Sequence, residues 1–306
     1  MRIAVIGAGG VGGYFGGRLA AAGADVTFVA RGAHLAAMRS RGLRILSPLG
    51  DATIGNPKAV DDVARLGDID LVMVAVKLWD TEAVAATLAP LAQRGATIVS
   101  FQNGIDKDDI LRRHVPAAAI IGGVSYIAAV IAEPGVIQHT GTMQRLAFGE
   151  FDGTISPRVR ALHDTCVTAR IEAVASDAIE RLIWEKYVFL VGLSGATSAM
   201  RKTIGPIREN PRTRAFLLGL MHEVVAVARA KGIAVRDGFA EERLAFFDTL
   251  PPTMTSSMHN DLDRGNRLEL NWLSGGVANL GAELAVPTPL NSAVADVLCL
   301  YADGRA

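Results

Sequence analysis

Cysteine is nearly absent from this chain: Cys166 and Cys299 are the only two in 306 residues. Two thiols so far apart fit neither a C-x-x-C redox pair nor a zinc ligand set, so no disulfide framework and no metal site is expected, and a reducing compartment is. Net charge is missing as well. The 31 basic and 31 acidic residues cancel, which leaves no global field to recruit nucleic acid or an anionic membrane. Long hydrophobic runs are also lacking. The uncharged stretches 117–132 and 187–200 fall short of the roughly 20 residues of a spanning helix, and both contain glycine and polar residues, which suits buried core. The N-terminus enters a strand directly, without the basic, apolar and small-residue succession of a secretory signal, so a cytoplasmic location is expected. No G-x-S-x-G elbow, H-E-x-x-H or paired C-x-x-C occurs.

What is present begins at once. Residues 2–6 form a short β-branched run, and Gly7, Ala8, Gly9, Gly10, Val11 and Gly12 follow with the spacing G-x-G-x-x-G. Gly7 suits the sharp turn, Gly9 lets backbone N–H groups approach a pyrophosphate, and Gly12 lets the next helix lie close on the strand. That motif is weak alone in a chain with 32 glycines. Its context strengthens it: Val11, Phe15 and Leu19 recur at helical spacing, Gly23 stops the helix, and 26–30 is a second β-rich run. The frame predicts a dinucleotide with its phosphates at the helix N-terminus. A carboxylate to grip an unphosphorylated ribose would stand at the exit of that second strand. Asp25 is at the wrong end, and Arg31 holds the exit. A guanidinium there fits a 2′-phosphate, which favours NADP(H), while a merely solvated charge is the alternative.

Further along, 34–41 reads as helix, 43–46 as an edge strand, and 69–76 as a strand covered on both faces, with Lys77 at its end. Residues 81–93 read as one helix, and 97–101 as another buried strand running into Gln102-Asn103-Gly104. Arg31, Lys77 and Asn103 thus leave three strand ends, where ligands bind in open parallel sheets. The stretches 118–126, 135–139 and 146–149 read as short strands, 155–170 as helix and 171–175 as a last strand. From Ser176 onward helical periodicity dominates. The expected organisation is α/β: a Rossmann-type NADP-binding domain over 1–175, and an all-helical substrate and catalytic domain over 176–306.

In the second half, Ile179, Leu182, Ile183, Lys186, Leu190 and Ser194 share one helical face, and 187–200 carries no charge. A lysine partly withdrawn from water gives up its proton more readily, which suits a general acid; by helix position alone, a lysine snorkelling its tip to solvent is the simpler reading. Helices are expected at 209–230, 241–250, 267–284 and 290–301, with 253–258 a small, polar hinge. His259 to Asp263 reads as a solvated helical segment. Glu269, near a helix start, reads as a dipole-favoured acid.

Taken together, G-A-G-G-V-G, Arg31, Lys77 in A-V-K, Asn103 in Q-N-G, Lys186 in I-W-E-K, S-S-M at 256–258 and Glu269 in L-E-L resemble the ketopantoate reductase (2-dehydropantoate 2-reductase) family across both halves. The resemblance implies NADPH-dependent reduction of a 2-keto acid to a 2-hydroxy acid in pantothenate synthesis. It implies Lys186 as the proton donor, with Glu269 organising it and the substrate. It also implies Asn103 at the nicotinamide ribose and the substrate, and Ser257 on the substrate carboxylate. Where the family pattern carries asparagines one and two turns after the lysine, this chain has Leu190 and Ser194. Ser194 remains a substrate contact, whereas Leu190 cannot hydrogen-bond one, which opens the alternative of a different short 2-keto acid. A non-catalytic NADPH sensor is the third reading. A small-molecule substrate is the expected partner, with a second copy of the chain if it is a homodimer.

Overall fold

The computed structural model describes residues 1–305. Two compact units result, Met1–Ile179 and Glu180–Ala306. Contacts of the first unit run past residue 175. The Ser176 amide donates to the Phe148 carbonyl at 2.9 Å, and Ile179 lies against Gly122.

The first unit is built on a ten-stranded sheet. Its strands are β1 (Arg2–Ile6), β2 (Asp25–Val29), β3 (Leu43–Leu46), β4 (Ala52–Ile54), β5 (Lys58–Val60), β6 (Leu71–Val74), β7 (Thr97–Ser100), β8 (Ile120–Glu133), β9 (Val136–Gly149) and β10 (Glu172–Ala175). The order is β4-β3-β9-β8-β7-β6-β1-β2-β5, with β10 also on β9. From β8 to β5 every neighbouring pair is parallel. The apolar runs are continuous because both faces are covered: Ile3 and Val5 enter one core cluster and Ala4 and Ile6 the other, as do Leu71 and Met73 against Val72 and Val74. The helices of this unit are α1 (Gly10–Ala21), α2 (Gly32–Arg41), α3 (Thr81–Ala85), α4 (Ala89–Gln93), α5 (Lys107–Arg112) and α6 (Pro157–Thr168).

Three expectations for this unit need correction. β3 is not an edge strand, since β4 pairs with it antiparallel and β9 parallel. The single helix expected over 81–93 is two short ones, because Pro90 has no N–H to continue the ladder. The three short strands expected between 118 and 149 are two strands of 14 residues each, paired as one long antiparallel hairpin with register shifts after Ile127 and Ile131. The stretches that carry no strand signal, 127–133 and 140–145, include the exposed Val130, Ile131 and Met143, so no one-face-buried alternation marks them.

The second unit is helical: α7 (Ile179–Met200), α8 (Ile204–Glu209), α9 (Pro211–Ala230), α10 (Phe239–Thr249), α11 (Ser257–Arg264), α12 (Ser274–Glu283) and α13 (Pro289–Leu298). The expected helix over 267–284 is broken. A 3-10 turn at Leu270–Trp272 comes first, Leu273 departs from helical geometry, and only then does α12 begin. Within the expected solvated segment 259–263, His259 is buried. No helix among the described residues is long and apolar enough to cross a membrane.

Candidate functional site

The glycine motif sits where β1 turns into α1. Gly7 has φ +94°, and a Cβ on it would lie 2.8 Å from the Val76 amide nitrogen, so only glycine fits both the backbone and the space. A Cβ on Gly12 would overlap the Gly7 carbonyl oxygen, and one on Gly10 the Ala129 carbonyl oxygen of the hairpin. Gly9 differs, since nothing lies within 4 Å of a Cβ placed there. Its open side faces a cavity of about 330 Å³ that Gly7, Ala8, Gly9 and Arg31 help to line. The first turn of α1 carries no acid, so its unpaired N–H groups and positive dipole end are available to an anion. These features fit the pyrophosphate of a dinucleotide.

The strand order explains why the polar residues share an edge. β7, β6, β1 and β2 are consecutive and parallel, so their carboxyl ends, leading to Asn103, Lys77, the glycine loop and Arg31, open on the same side. The cavity beside the glycine loop takes in only part of that edge. Arg31 lines it, whereas Lys77 and Asn103 lie further along the edge and are not among its lining residues. Lys77 is exposed, with its Nζ 5.5 Å from the centre of the Trp79 ring. Asn103 is half-buried. Its neighbour Gln102 is wholly committed to structure: Nε2 donates to the Val76 carbonyl (2.9 Å) and to Thr81 Oγ1 (2.7 Å), and Oε1 accepts from Ser100 Oγ (2.9 Å). Gln102 therefore locks the exits of β6 and β7 together, in front of Lys77 and Asn103.

Several cavity residues gave no signal in the sequence. His34 of α2 lines it, and its Nδ1 accepts from the Gly135 amide at 3.1 Å. That hydrogen bond fixes the neutral ring's proton on Nε2, and burial pushes the imidazole pKa below its ordinary value. Asp61 and Asp62, beyond β5, and Asp80, beside α3, bring carboxylates to the same cavity. Asp80 Oδ2 lies 3.3 Å from Arg31 Nη2.

In the second unit α7 gathers the remaining candidates. Lys186 is half-buried on it. The next residue, Tyr187, is 2% exposed, and its hydroxyl is 2.9 Å from the carbonyl oxygens of both Trp272 and Leu273. Those residues close the turn headed by Glu269, whose carbonyl accepts the Trp272 and Leu273 amides at 3.1 Å. Tyr187 thus ties the Glu269 turn to α7 one residue from Lys186, and Glu269 itself is 6% exposed. Glu269 caps a 3-10 turn and not the α-helix expected for it. Two turns after Lys186, Ser194 is fully buried with no hydrogen-bond partner for its Oγ. One helical turn beyond, Thr197 Oγ1 meets Ser256 Oγ at 3.2 Å, and the Thr197 carbonyl meets His259 Nδ1 at 2.8 Å. Ser256 caps α11 by accepting the His259 amide, which leaves Ser257 exposed as the first residue of that helix.

Comparison with known proteins covers both units. A family model described as "Ketopantoate reductase PanE/ApbA" matches residues 3–153, and one described as "Ketopantoate reductase PanE/ApbA C terminal" matches 178–302. A 2-dehydropantoate 2-reductase of Halobacterium salinarum is 31% identical over 301 residues, 98% of each chain. An uncharacterized oxidoreductase of Bacillus subtilis, YkpB, is 30% identical over 98% of this chain and 99% of its own. The crystal structure of a 2-dehydropantoate 2-reductase from Geobacter metallireducens superposes with a TM-score of 0.91 at 29% identity, over 98% of this chain and 99% of that one.

Proposed function

This chain belongs to the ketopantoate reductase family of nicotinamide-dependent oxidoreductases, and from that premise we propose that it reduces 2-dehydropantoate to pantoate with NADPH. The observation that carries the reading is the arrangement on α7: Lys186 on a helix of the second unit, with the Glu269 turn bonded to the adjacent Tyr187. Such a pair is what reduction of a ketone needs from the protein, since the carbonyl oxygen must gain a proton as the carbon gains a hydride. When bound, the dinucleotide supplies that hydride.

The chain's own residues do the rest. The amides of the glycine loop and of the first turn of α1 hold the pyrophosphate. Arg31, a cation where the fold otherwise places an acid, takes the 2′-phosphate, and Lys77 adds charge along the same edge. Asn103 orients the nicotinamide ribose and the keto acid beside it. Lys186 donates its proton to the carbonyl oxygen, Glu269 orients the lysine and the substrate, and Ser257 and Ser194 contact the substrate. In this division of labour the first unit is the cofactor domain and the second the substrate domain.

A second reading of the substrate has its own support. Leu190, one turn after Lys186 and half-buried, offers a substrate hydroxyl no partner, and a missing partner can cost orders of magnitude in discrimination. That favours a short 2-keto acid without the hydroxyl of ketopantoate. Following NADPH oxidation by absorbance with ketopantoate and a panel of short 2-keto acids tests both readings. Turnover with ketopantoate at the highest kcat/KM supports the first, and a preference for another acid supports the second. Lys186→Ala is expected to lower kcat by about 10²–10⁴-fold; equal rates in the two proteins would remove Lys186 from the mechanism. Absence of turnover with any of them would leave a nucleotide-binding protein without this chemistry.

A further inference from the structure

We propose that Asp80 is a specificity-determining residue that competes with the 2′-phosphate for Arg31, so that the protein accepts NADH as well as NADPH. The inference rests on the reading of Arg31 as the 2′-phosphate ligand and adds a counter-charge to it. Asp80 immediately precedes α3 in the capping position, yet its carboxylate accepts none of that helix's amides. Its backbone amide is bonded to the Lys77 carbonyl at 2.9 Å, which holds the residue on the rim of the cavity. From there Oδ2 reaches Arg31 Nη2 at 3.3 Å, and both residues line the cavity. The other two acids of the cavity are engaged elsewhere. Asp62 Oδ1 accepts the Ala64 amide at 2.8 Å, and Asp61 Oδ1 lies 3.1 Å from Arg65 Nε.

The consequence depends on what the ribose carries. A 2′-phosphate seated on Arg31 must draw the guanidinium from Asp80 or share it, with a carboxylate only a few ångströms from a group bearing nearly two negative charges. A 2′-hydroxyl meets the opposite situation, because it is a donor and a carboxylate is a strong acceptor. Asp80 therefore weakens NADPH binding and supports NADH binding. Arg31 alone would do the reverse. The guanidinium side chain is 70% exposed and the carboxylate 35%, so solvent screens the effect without erasing it.

The test is calorimetric titration of the whole chain with NADPH and with NADH, on wild type, Asp80→Asn, Asp80→Ala and Arg31→Ala, with circular dichroism to confirm that each is folded. Wild type is expected to bind the two cofactors within about tenfold of each other, and both Asp80 variants to shift the Kd ratio toward NADPH by roughly tenfold, about 1.4 kcal/mol. A ratio within twofold of wild type in both Asp80 variants overturns the inference. Arg31→Ala separates that failure from failure of the underlying reading: it should weaken NADPH far more than NADH. An equal effect on both cofactors would show that Arg31 does not hold the 2′-phosphate, and Asp80 would lose its role with it.

Discussion

Lys107 and Asp108, at the start of α5, are the most deeply buried ion pair of the first unit, and their removal offers a quantitative test of its packing. Their side chains are 1% and 5% exposed, and Lys107 Nζ lies 2.8 Å from Asp108 Oδ2. The second carboxylate oxygen, Oδ1, has no hydrogen-bond partner. Burial pushes the Asp108 carboxyl above its ordinary value, with the Lys107 ammonium pulling partly back. Such a pair barely offsets its own desolvation, but breaking it strands a buried charge at a cost of about 3–5 kcal/mol. Asp108→Ala should therefore destabilise the first unit by about that amount. Lys107→Met should cost less at mildly acidic pH, because a raised carboxyl can take up a proton and become neutral. The sign follows: with its folded pKa raised, Asp108 in that variant leaves stability intact below the ordinary carboxyl range of about 4 and erodes it as pH rises through the folded value. Lys107→Met/Asp108→Leu should return to within about 1 kcal/mol of wild type. Amide hydrogen exchange in β7 and β8, which reads the opening free energy region by region, is the assay. A loss below about 1 kcal/mol in Asp108→Ala, or a double variant as unstable as the single one, would refute the reasoning.

Three further outcomes follow from the same geometry. The His34 imidazole, whose pKa burial holds below its ordinary value, should contribute stability that is full above about pH 6.5 and lost as pH falls through the folded value; His34→Gln should flatten the acid-side fall in Tm, with His139, shifted in the same direction, accounting for the remainder. An unchanged slope would exclude His34. Gly12→Val would drive a side chain into the Gly7 carbonyl and against Val5 and Ala75, with an expected cost of about 1–3 kcal/mol and a loss of dinucleotide affinity. Wild-type calorimetric binding would contradict it. Gln102→Leu removes the hydrogen bonds that join the exits of β6 and β7; about 1–3 kcal/mol of stability and a raised KM for the cofactor are expected, and an unchanged KM would mean that Gln102 does not position the site.

The sequence by itself determined the local architecture. The spacing of Gly7, Gly9 and Gly12 between a β-branched run and a helical repeat specifies a strand, a phosphate loop and a helix. Unbroken apolar runs at β6 and β7 specify strands covered on both faces. Arg31, Lys77, Asn103 and Lys186 could be singled out because each interrupts or ends a strongly patterned segment. Periodicity is a short-range property, however, and carries no information about which segments become neighbours. Only the tertiary structure set β3 inside the sheet, joined three apparent strands into one long hairpin, and delayed the start of the expected helix until after Leu273. Long-range hydrogen bonds and ion pairs decided the rest: Asp80 on Arg31, Gln102 across to Val76 and Thr81, and Tyr187 on the turn that carries Glu269. Partners distant in sequence meet only when strand order and helix packing bring them together, which is why a pattern read along the chain could propose the chemistry but not the contacts that tune it.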